Sequence, residues 1–282
     1  MTRQKSFLNE ARTLYLVATP IGNLSDITLR ALEILRGADI IYCEDKRNSL
    51  KLLTHYNIKV PLKSYHEFNK EKASKEVIED FIKHQNIVLI SDAGTPVISD
   101  PGYELVKVLI EHKFNIVSIP GASAFLSALI VSGLETKPFL YYGFLSEKET
   151  KRKNELESLR YQKTTLVFYE APHRLKKTLS AILEVFGNRH LVIARELTKK
   201  FEEIIRGNVE ELLTIDEELK GEIVLVVEGN KELPDFSSLS IEEHILSFIE
   251  EGLTKNEAIK KVAQERNIPK NEVYKKYLDQ QK

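Results

Sequence analysis

The chain alternates between short apolar runs and amphipathic stretches. The runs are rich in Val and Ile, as is typical of strands buried inside a sheet. In the first half the predicted strands are residues 14–18, 40–43, 87–90 and 115–119. Between the first two strands, Leu29, Leu32 and Leu35 recur at helical spacing before Gly37, which predicts a helix over 28–35. This alternation predicts a mostly parallel sheet with helices on both faces.

The same rhythm restarts after residue 121. Predicted strands here are residues 139–142, 165–169, 191–194 and 223–227, and helical patterns cover 147–160, 173–186 and 209–219. We therefore expect two α/β domains with a cleft between them. The predicted boundaries are an N-terminal extension over 1–12, a first domain over 13–120 and a second over 121–231.

The tail over 232–282 has a different pattern. Pro234, Ser237, Ser238 and Ser240 indicate a short linker, and helical patterns follow at 240–251, 255–266 and 270–280. Turns are predicted at residues 251–252 and 267–269. Residues 253–282 hold eight Lys and Arg against four Asp and Glu. The tail is therefore predicted to be a small helix-turn-helix-like module, which either binds RNA or is a helical appendage with solvated lysines.

Composition narrows the class of protein. A length of 282 residues suggests about two domains. Hydrophobic residues at 42% and charged residues at 29% exclude wholesale disorder. The formal charge of -1 means that nucleic-acid contact must come from local patches. The single cysteine, Cys43, excludes a disulfide framework and a multi-cysteine zinc site, and its apolar strand favours a packing role.

The lengths of the apolar runs indicate where in the cell the protein is expected. The longest apolar runs are far shorter than the ~20 residues that span a membrane. Residues 1–13 are polar and charged, without the apolar core of a signal peptide. We expect a cytoplasmic protein that makes no membrane contact.

The most informative loop is residues 91–102, which follow a strongly apolar strand. Two Asp, two Pro, two Gly and three hydroxyl residues exceed what a simple connection needs. Small residues let a ligand lie against the main chain, and prolines reduce the ordering entropy lost on binding. Because ligands of open α/β sheets lie beyond the carboxyl ends of the strands, this loop is predicted to bind one.

Other strand ends carry weaker signals. Residues 18–26, 44–49, 120–124, 169–174 and 194–199 bring glycine, small or charged residues to the same predicted edge, although capping and ion pairing explain each one alone. The sequence contains no G-x-G-x-x-G, no phosphate-loop motif, no G-x-S-x-G and no H-x-x-x-H pair. No metal site is predicted.

These motifs, in this order, resemble the tetrapyrrole-methylase superfamily, and more closely its ribosomal RNA branch. The segments that carry the resemblance are ATPIGNL (18–24), EDKR (44–47), HEFN (66–69), SDAGTPVISDPG (91–102), PGASA (120–124), FYEAPHR (168–174), RELTK (195–199) and GE (221–222). The resemblance implies two α/β domains that bind S-adenosylmethionine (SAM) in the cleft between them, and a homodimer. It also implies 2′-O-methylation of a decoding-centre cytidine, cytidine-1402 of 16S ribosomal RNA.

The resemblance also implies a set of cofactor-binding residues. These are Pro20, Ile21, Gly22, Asp92, Ala93, Gly94, Thr95, Ile98, Ser123, Ala124, Ala171, Ala194 and Glu222. An adenine needs an apolar slot with a few main-chain hydrogen bonds, and most of these residues are small or apolar.

A ribose hydroxyl is a poor nucleophile at neutral pH, so we expect a general base. Asp100, Asp45 and Glu170 are the candidates, and capping or ion pairing explains the same residues. The residues predicted to hold RNA phosphates are Lys46, Arg47, His173, Arg174, Lys151 and Arg152. Two alternatives stay open: a small-molecule tetrapyrrole methyltransferase, and a non-catalytic RNA-binding or assembly protein.

Overall fold

The computed structural model describes residues 3–6, 11–215, 219–231, 239–250, 252–266 and 268–279. The chain divides into two compact units. The first comprises Met1–Glu157 with Thr164–Glu228 and holds both sheets, and the second comprises Ser158–Lys163 with Gly229–Lys282. The boundary predicted at 120–121 falls between the two sheets, and it stays a prediction.

The first sheet is entirely parallel. Its strands are β1 (Thr13–Val17), β2 (Ile40–Cys43), β3 (Leu62–Ser64), β4 (Asn86–Ile90) and β5 (Asn115–Ile119), in the order β3-β2-β4-β1-β5. The helices that follow the first four strands are α1 (Leu29–Arg36), α2 (Lys46–His55), α3 (Lys70–Lys83) and α4 (Tyr103–Glu111). The four predicted strands and the first helix are confirmed. The short β3 escaped prediction because its three residues are only partly buried and carry no apolar run.

Both faces of this sheet are covered, as predicted. Ile41 and Cys43 pack in one apolar core, and their neighbours Ile40 and Tyr42 pack in another on the opposite face. This alternation follows from the two-residue repeat of a strand. Cys43 is fully buried, and burial raises the pKa of its thiol.

The second sheet is mixed, so the prediction of mostly parallel strands is wrong here. Its strands are β6 (Phe139–Phe144), β7 (Thr165–Glu170), β8 (His190–Arg195), β9 (Glu203–Asn208) and β10 (Ile223–Val227), in the order β6-β7-β10-β8-β9. Only β6 and β7 pair in parallel. The helices of this half are α5 (Ala124–Ser132), α6 (Glu149–Leu159), α7 (Leu175–Phe186) and α8 (Val209–Leu213). The connection from β8 to β9 is too short for a crossover, which makes that pair antiparallel.

The second unit contains α9 (Ile241–Glu250), α10 (Lys255–Glu265) and α11 (Lys270–Asp279), which confirms the three predicted helices. Their apolar sides form a separate core that includes Ile245, Ile259, Val262 and Val273. Of the predicted linker and turns, Pro234, Ser237, Ser238, Glu251 and Asn267 lie outside the described residues.

Neither a membrane span nor a metal cluster is found in the described part of the chain. None of its helices has the length and apolar character that crossing a bilayer requires. The described His, Cys, Asp and Glu residues form no group of three or more that could hold a metal ion.

Candidate functional site

A pocket of about 490 Å³ opens at the carboxyl ends of the first sheet. Ten of the thirteen predicted cofactor residues line it: Ile21, Asp92, Ala93, Gly94, Thr95, Ile98, Ser123, Ala124, Ala171 and Glu222. Parallel strands end at one edge of a sheet, which explains how loops distant in sequence meet here. A volume of this size suits a small organic ligand.

The loop over 91–102 is fixed by hydrogen bonds to its neighbours. The main-chain nitrogen and oxygen of Gly94 bond to Thr19, at 3.0 and 2.8 Å, and so join this loop to the loop after β1. Thr95 Oγ1 donates to the carbonyl of Ala122 at 3.2 Å. Val97 and Ser99 adopt positive φ angles of 74° and 61°. A β-branched residue rarely adopts this conformation, so surrounding contacts must hold the loop in a strained shape.

Asp100 is the carboxylate of this loop that is best suited to accept a proton. It lines the pocket and is partly buried. Burial raises its pKa to about 6, and the nearby charges of Glu44 and Asp92 add to the effect. A base whose pKa lies close to neutrality is ionised at pH 7 and still takes up a proton readily.

The other two predicted bases are engaged elsewhere. Asp45 lies outside the pocket, where it caps α2 and accepts three side-chain hydrogen bonds and one main-chain bond from Arg47. These bonds lower the pKa of Asp45 to about 2. Glu170 lines the pocket but is 2% exposed. Its carboxylate accepts hydrogen bonds from the hydroxyl of Thr178 and the main-chain nitrogen of Ala171, and it forms an ion pair with Arg174. Their catalytic roles stay predictions. Asp100 lines the pocket and is more exposed than Glu170.

Three predicted cofactor residues lie outside the main pocket. Pro20 and Gly22 line a smaller cavity of about 190 Å³, which shares Asp92 with the main pocket. Ala194 is fully buried beside Val224, its partner on β10. Val224 itself lines the pocket, whereas Ala194 lies on the neighbouring strand β8 and does not.

The pocket also contains residues that were not predicted, among them Lys199 and Glu196, which lie beside the predicted Glu222. Lys199 forms ion pairs with Glu196 at 2.9 Å and Glu222 at 3.1 Å, and all three line the pocket. Lys199 and Glu196 belong to the RELTK segment, whose charges past a strand end were the available signal. Aromatic side chains also line the pocket, namely Phe125, Phe144 and Tyr169. Their spacing along the chain gave no signal, because these rings meet only through the pairing of β6 with β7 and the packing of α5.

The six predicted RNA contacts fall into two groups. Lys46, Arg47, His173 and Lys151 are exposed, and Arg47 pairs with Asp45 at 2.6 Å. Arg152 is 4% exposed, and it donates to the carbonyls of Ser146 and Glu147, which precede α6.

Arg174 is also turned inward. Its side chain is 11% exposed, lies 3.2 Å from the carboxylate of Glu170 and donates to the carbonyl of Leu145 at 2.5 Å. RNA contact by Arg152 or Arg174 stays a prediction, and it would require these internal contacts to break.

The chain is similar to known proteins along almost its whole length. Residues 13–213 match the family model of Tetrapyrrole (Corrin/Porphyrin) Methylases. A Bacillus subtilis protein named ribosomal RNA small subunit methyltransferase I is 47% identical over 287 residues, covering 98% of each chain. The protein of the same name from Synechocystis sp. is 43% identical over 271 residues, covering 94% of this chain and 97% of its own.

Solved structures agree on the fold. Uroporphyrin-III-C-methyltransferase from Thermus thermophilus matches with a TM-score of 0.55 at 22% identity, covering 77% of this chain and 94% of its own. Cobalt precorrin-4 methyltransferase matches with a TM-score of 0.58 at 17% identity, covering 76% of this chain and 94% of its own. The tetrapyrrole-methylase fold implied by the motifs is therefore confirmed. The chain belongs to the tetrapyrrole (corrin/porphyrin) methylase family, in the group of the ribosomal RNA small subunit methyltransferase I proteins.

Proposed function

We propose that this protein transfers a methyl group from SAM to the ribose 2′-hydroxyl of a decoding-centre cytidine, cytidine-1402 of 16S ribosomal RNA. The observation that carries the proposal is the pocket in which ten predicted cofactor residues and Asp100 meet. The name of the similar proteins supports small-subunit ribosomal RNA as the acceptor. We place this activity in the cytoplasm.

The residues of the pocket fit SAM. Its cationic amino and sulfonium groups suit a wall that contains Asp92 and Glu222, and its carboxylate suits Lys199. Ile21 and Val224 offer apolar surface to the adenine. When bound, SAM supplies an electrophilic methyl group on a positively charged sulfur.

The protein has three tasks in such a transfer. It orients the ribose hydroxyl, excludes water and removes the hydroxyl proton. Asp100 takes that proton in our proposal, because it lines the pocket with a pKa raised toward neutrality by burial. Thr95 and Ser99 belong to the same strained loop, which holds Asp100 in place without further ordering when substrate arrives.

We also propose that the protein works as a homodimer. Helix α5 is apolar on all sides, and its outer side exposes Leu126, Ile130 and Val131 by 44%, 73% and 42%. An apolar surface of this kind is typical of an interface between copies of one chain. Sedimentation of the Ile130→Lys variant tests this, because a charge at the centre of the patch should shift the dimer toward monomer.

The deciding experiment is tritiated methyl transfer from SAM to small ribosomal subunits that lack the modification, followed by mapping of the labelled nucleotide. Label on the ribose of one decoding-centre cytidine is the expected result. Calorimetric SAM binding without label on RNA would favour the non-catalytic binding protein. Label on a tetrapyrrole instead would favour the small-molecule methyltransferase.

A further inference from the structure

Three side chains form a row across the second sheet and line the pocket. Val224 of β10 pairs with Tyr169 of β7, and Tyr169 pairs with Phe144 of β6. Val224 is 3% exposed, Tyr169 is partly buried and Phe144 is 54% exposed. The row therefore leads from the buried interior of the pocket to an aromatic ring at its mouth.

A β-bulge turns Phe144 toward the pocket. In a regular strand, residues three apart face opposite sides of the sheet. Here the pairing shifts between Tyr141 and Gly143, and Gly143 has a φ of 87°. As a result Tyr141 and Phe144 both contact the ring of Tyr169, with centroids 5.3 and 5.4 Å away. Bulges beside active sites commonly re-aim a side chain in this way.

The ring of Phe144 is supported from behind by other aromatic rings. Tyr169 lies edge-on to Tyr141, and Tyr141 stacks on Phe125 with a centroid distance of 4.3 Å. Rings held by such packing lose little conformational entropy when they bind a ligand. Phe144 therefore packs against a braced ring on one side and is 54% exposed.

Phe144 also lies at the Asp100 end of the pocket. A Cβ atom placed on Gly143 would be 3.2 Å from Oγ of Ser99, so the residue before Phe144 lies beside the residue before Asp100. Phe144 and Asp100 line the same pocket. A nucleobase on this ring carries its own ribose, which brings the 2′-hydroxyl of that nucleotide to the side of the pocket that holds Asp100.

We propose that Phe144 is a stacking platform for the unpaired nucleobase of the acceptor nucleotide. Single-stranded RNA is recognised largely by stacking of splayed-out bases on aromatic side chains, and enzymes that modify a nucleotide draw it out of its stack. The adenine of SAM is assigned to the buried end near Val224, because a polymer can approach only the exposed end. This inference rests on the proposed function and names a residue that contacts its substrate.

The test replaces the ring while keeping an apolar side chain. The Phe144→Leu variant should lower kcat/KM for the ribosomal subunit about tenfold, since stacking on one base contributes about that much. Phe144→Tyr keeps the ring and should retain most of the activity. Phe201→Leu is the matched control, because Phe201 is 66% exposed and does not line the pocket.

Three results would overturn the proposal. They are an unchanged kcat/KM for Phe144→Leu, an equal loss for Phe144→Tyr, and a loss of calorimetric SAM affinity for Phe144→Leu, which would place the adenine on this ring.

A binding readout separates this inference from the proposed function. The test uses a single-stranded RNA with fluorescent pyrrolocytosine at the acceptor position. The wild-type protein should quench its fluorescence, and the Phe144→Leu variant should quench it less. Quenching without any methyl transfer would support the platform while contradicting the proposed activity. Methyl transfer by the wild type without quenching would contradict the platform alone.

Discussion

Oγ of Ser99 lies 2.6 Å from the hydroxyl oxygen of Tyr141, and this hydrogen bond joins the loop after β4 in the first sheet to β6 in the second. Ser99 has a positive φ of 61° and precedes Asp100. The Tyr141 hydroxyl is protonated at neutral pH like that of any tyrosine, and burial raises its pKa further. The bond therefore fixes the strained loop against the opposite wall of the pocket.

Removing this bond should loosen the loop. The Tyr141→Phe variant should lose about 1 kcal/mol of unfolding free energy, which is the usual net contribution of one hydrogen bond to stability. It should also lose kcat, because Asp100 would be held less firmly. Tyr142→Phe is the control, since the ring of Tyr142 packs against Phe168 on the other face. Denaturant titrations and methyl-transfer rates measure both effects. Equal losses in the two variants would contradict a specific role for this bond.

Asp100→Asn should reduce kcat by roughly 10²–10⁴-fold, the usual contribution of a general base. In the wild type, kcat/KM should rise with pH and level off above a pH of about 6, because Asp100 must be ionised to accept a proton. Asp45→Asn is the comparison, since an asparagine also caps a helix and Asp45 lies outside the pocket. An unchanged rate for Asp100→Asn at saturating RNA would remove Asp100 from the chemistry.

The same substitution should stabilise the protein at pH 8. The pKa of Asp100 is raised on folding, so the folded state binds the proton more tightly and loses stability as the pH rises from about 4 to 6. Asparagine removes this loss and should raise the free energy of unfolding at pH 8 by about 1 kcal/mol. This figure allows for the water that still reaches the carboxylate. The gain should vanish near pH 4, and thermal unfolding at the two pH values measures it. An equal gain at both would contradict this account.

Gly94→Ala should weaken SAM binding and folding together. Gly94 lines the pocket with a φ of 82°, and an added Cβ would lie 3.3 Å from Cγ2 of Ile21. The left-handed conformation costs a residue with a Cβ about 1–2 kcal/mol. Gly37→Ala is the matched control, because Gly37 follows α1 with a φ of -89°. Calorimetry should detect weaker SAM binding only in the first variant, and equal effects would refute the explanation.

Arg174→Ala should destabilise the protein by about 3 kcal/mol, because it leaves the buried carboxylate of Glu170 without its cation. Arg47→Ala should destabilise the protein much less than Arg174→Ala, since the Arg47 side chain is 87% exposed and water screens its pair with Asp45. Urea titrations compare the two variants. A stable Arg174→Ala protein with weakened RNA affinity would instead support the predicted RNA contact of Arg174.

The tail module should contribute RNA affinity through its lysines. Lys260 on α10 and Lys275 on α11 are exposed. Replacing both by Gln should reduce the slope of log affinity for RNA against log salt concentration by about one to two. SAM affinity should stay unchanged. The control replaces Lys83 and Lys113, which precede β4 and β5 at the opposite edge of the first sheet from the pocket. An identical slope in both double variants would assign the tail a structural role.

Much of the fold was predictable because its signals are local. Runs of Val and Ile predicted four strands of the first sheet, and the crowded loop over 91–102 predicted a ligand site that the pocket surrounds. The strands β3 and β9 were missed because they are only partly buried and therefore carry no continuous apolar run. The antiparallel pairs of the second sheet were missed because strand pairing is not encoded in any single segment.

By itself, the sequence determined the α/β class, the family and the loops that surround the site, since these depend on residue pattern and motif order. Only the tertiary structure decided which side chains face the pocket. Asp45 and Asp100 look alike in sequence, but Arg47 engages one while burial raises the pKa of the other. Phe144 reaches the pocket through a bulge, and Arg174 turns inward to Glu170. Side-chain direction and ion pairing depend on contacts between strands that are distant in sequence, and a local sequence pattern does not determine those contacts.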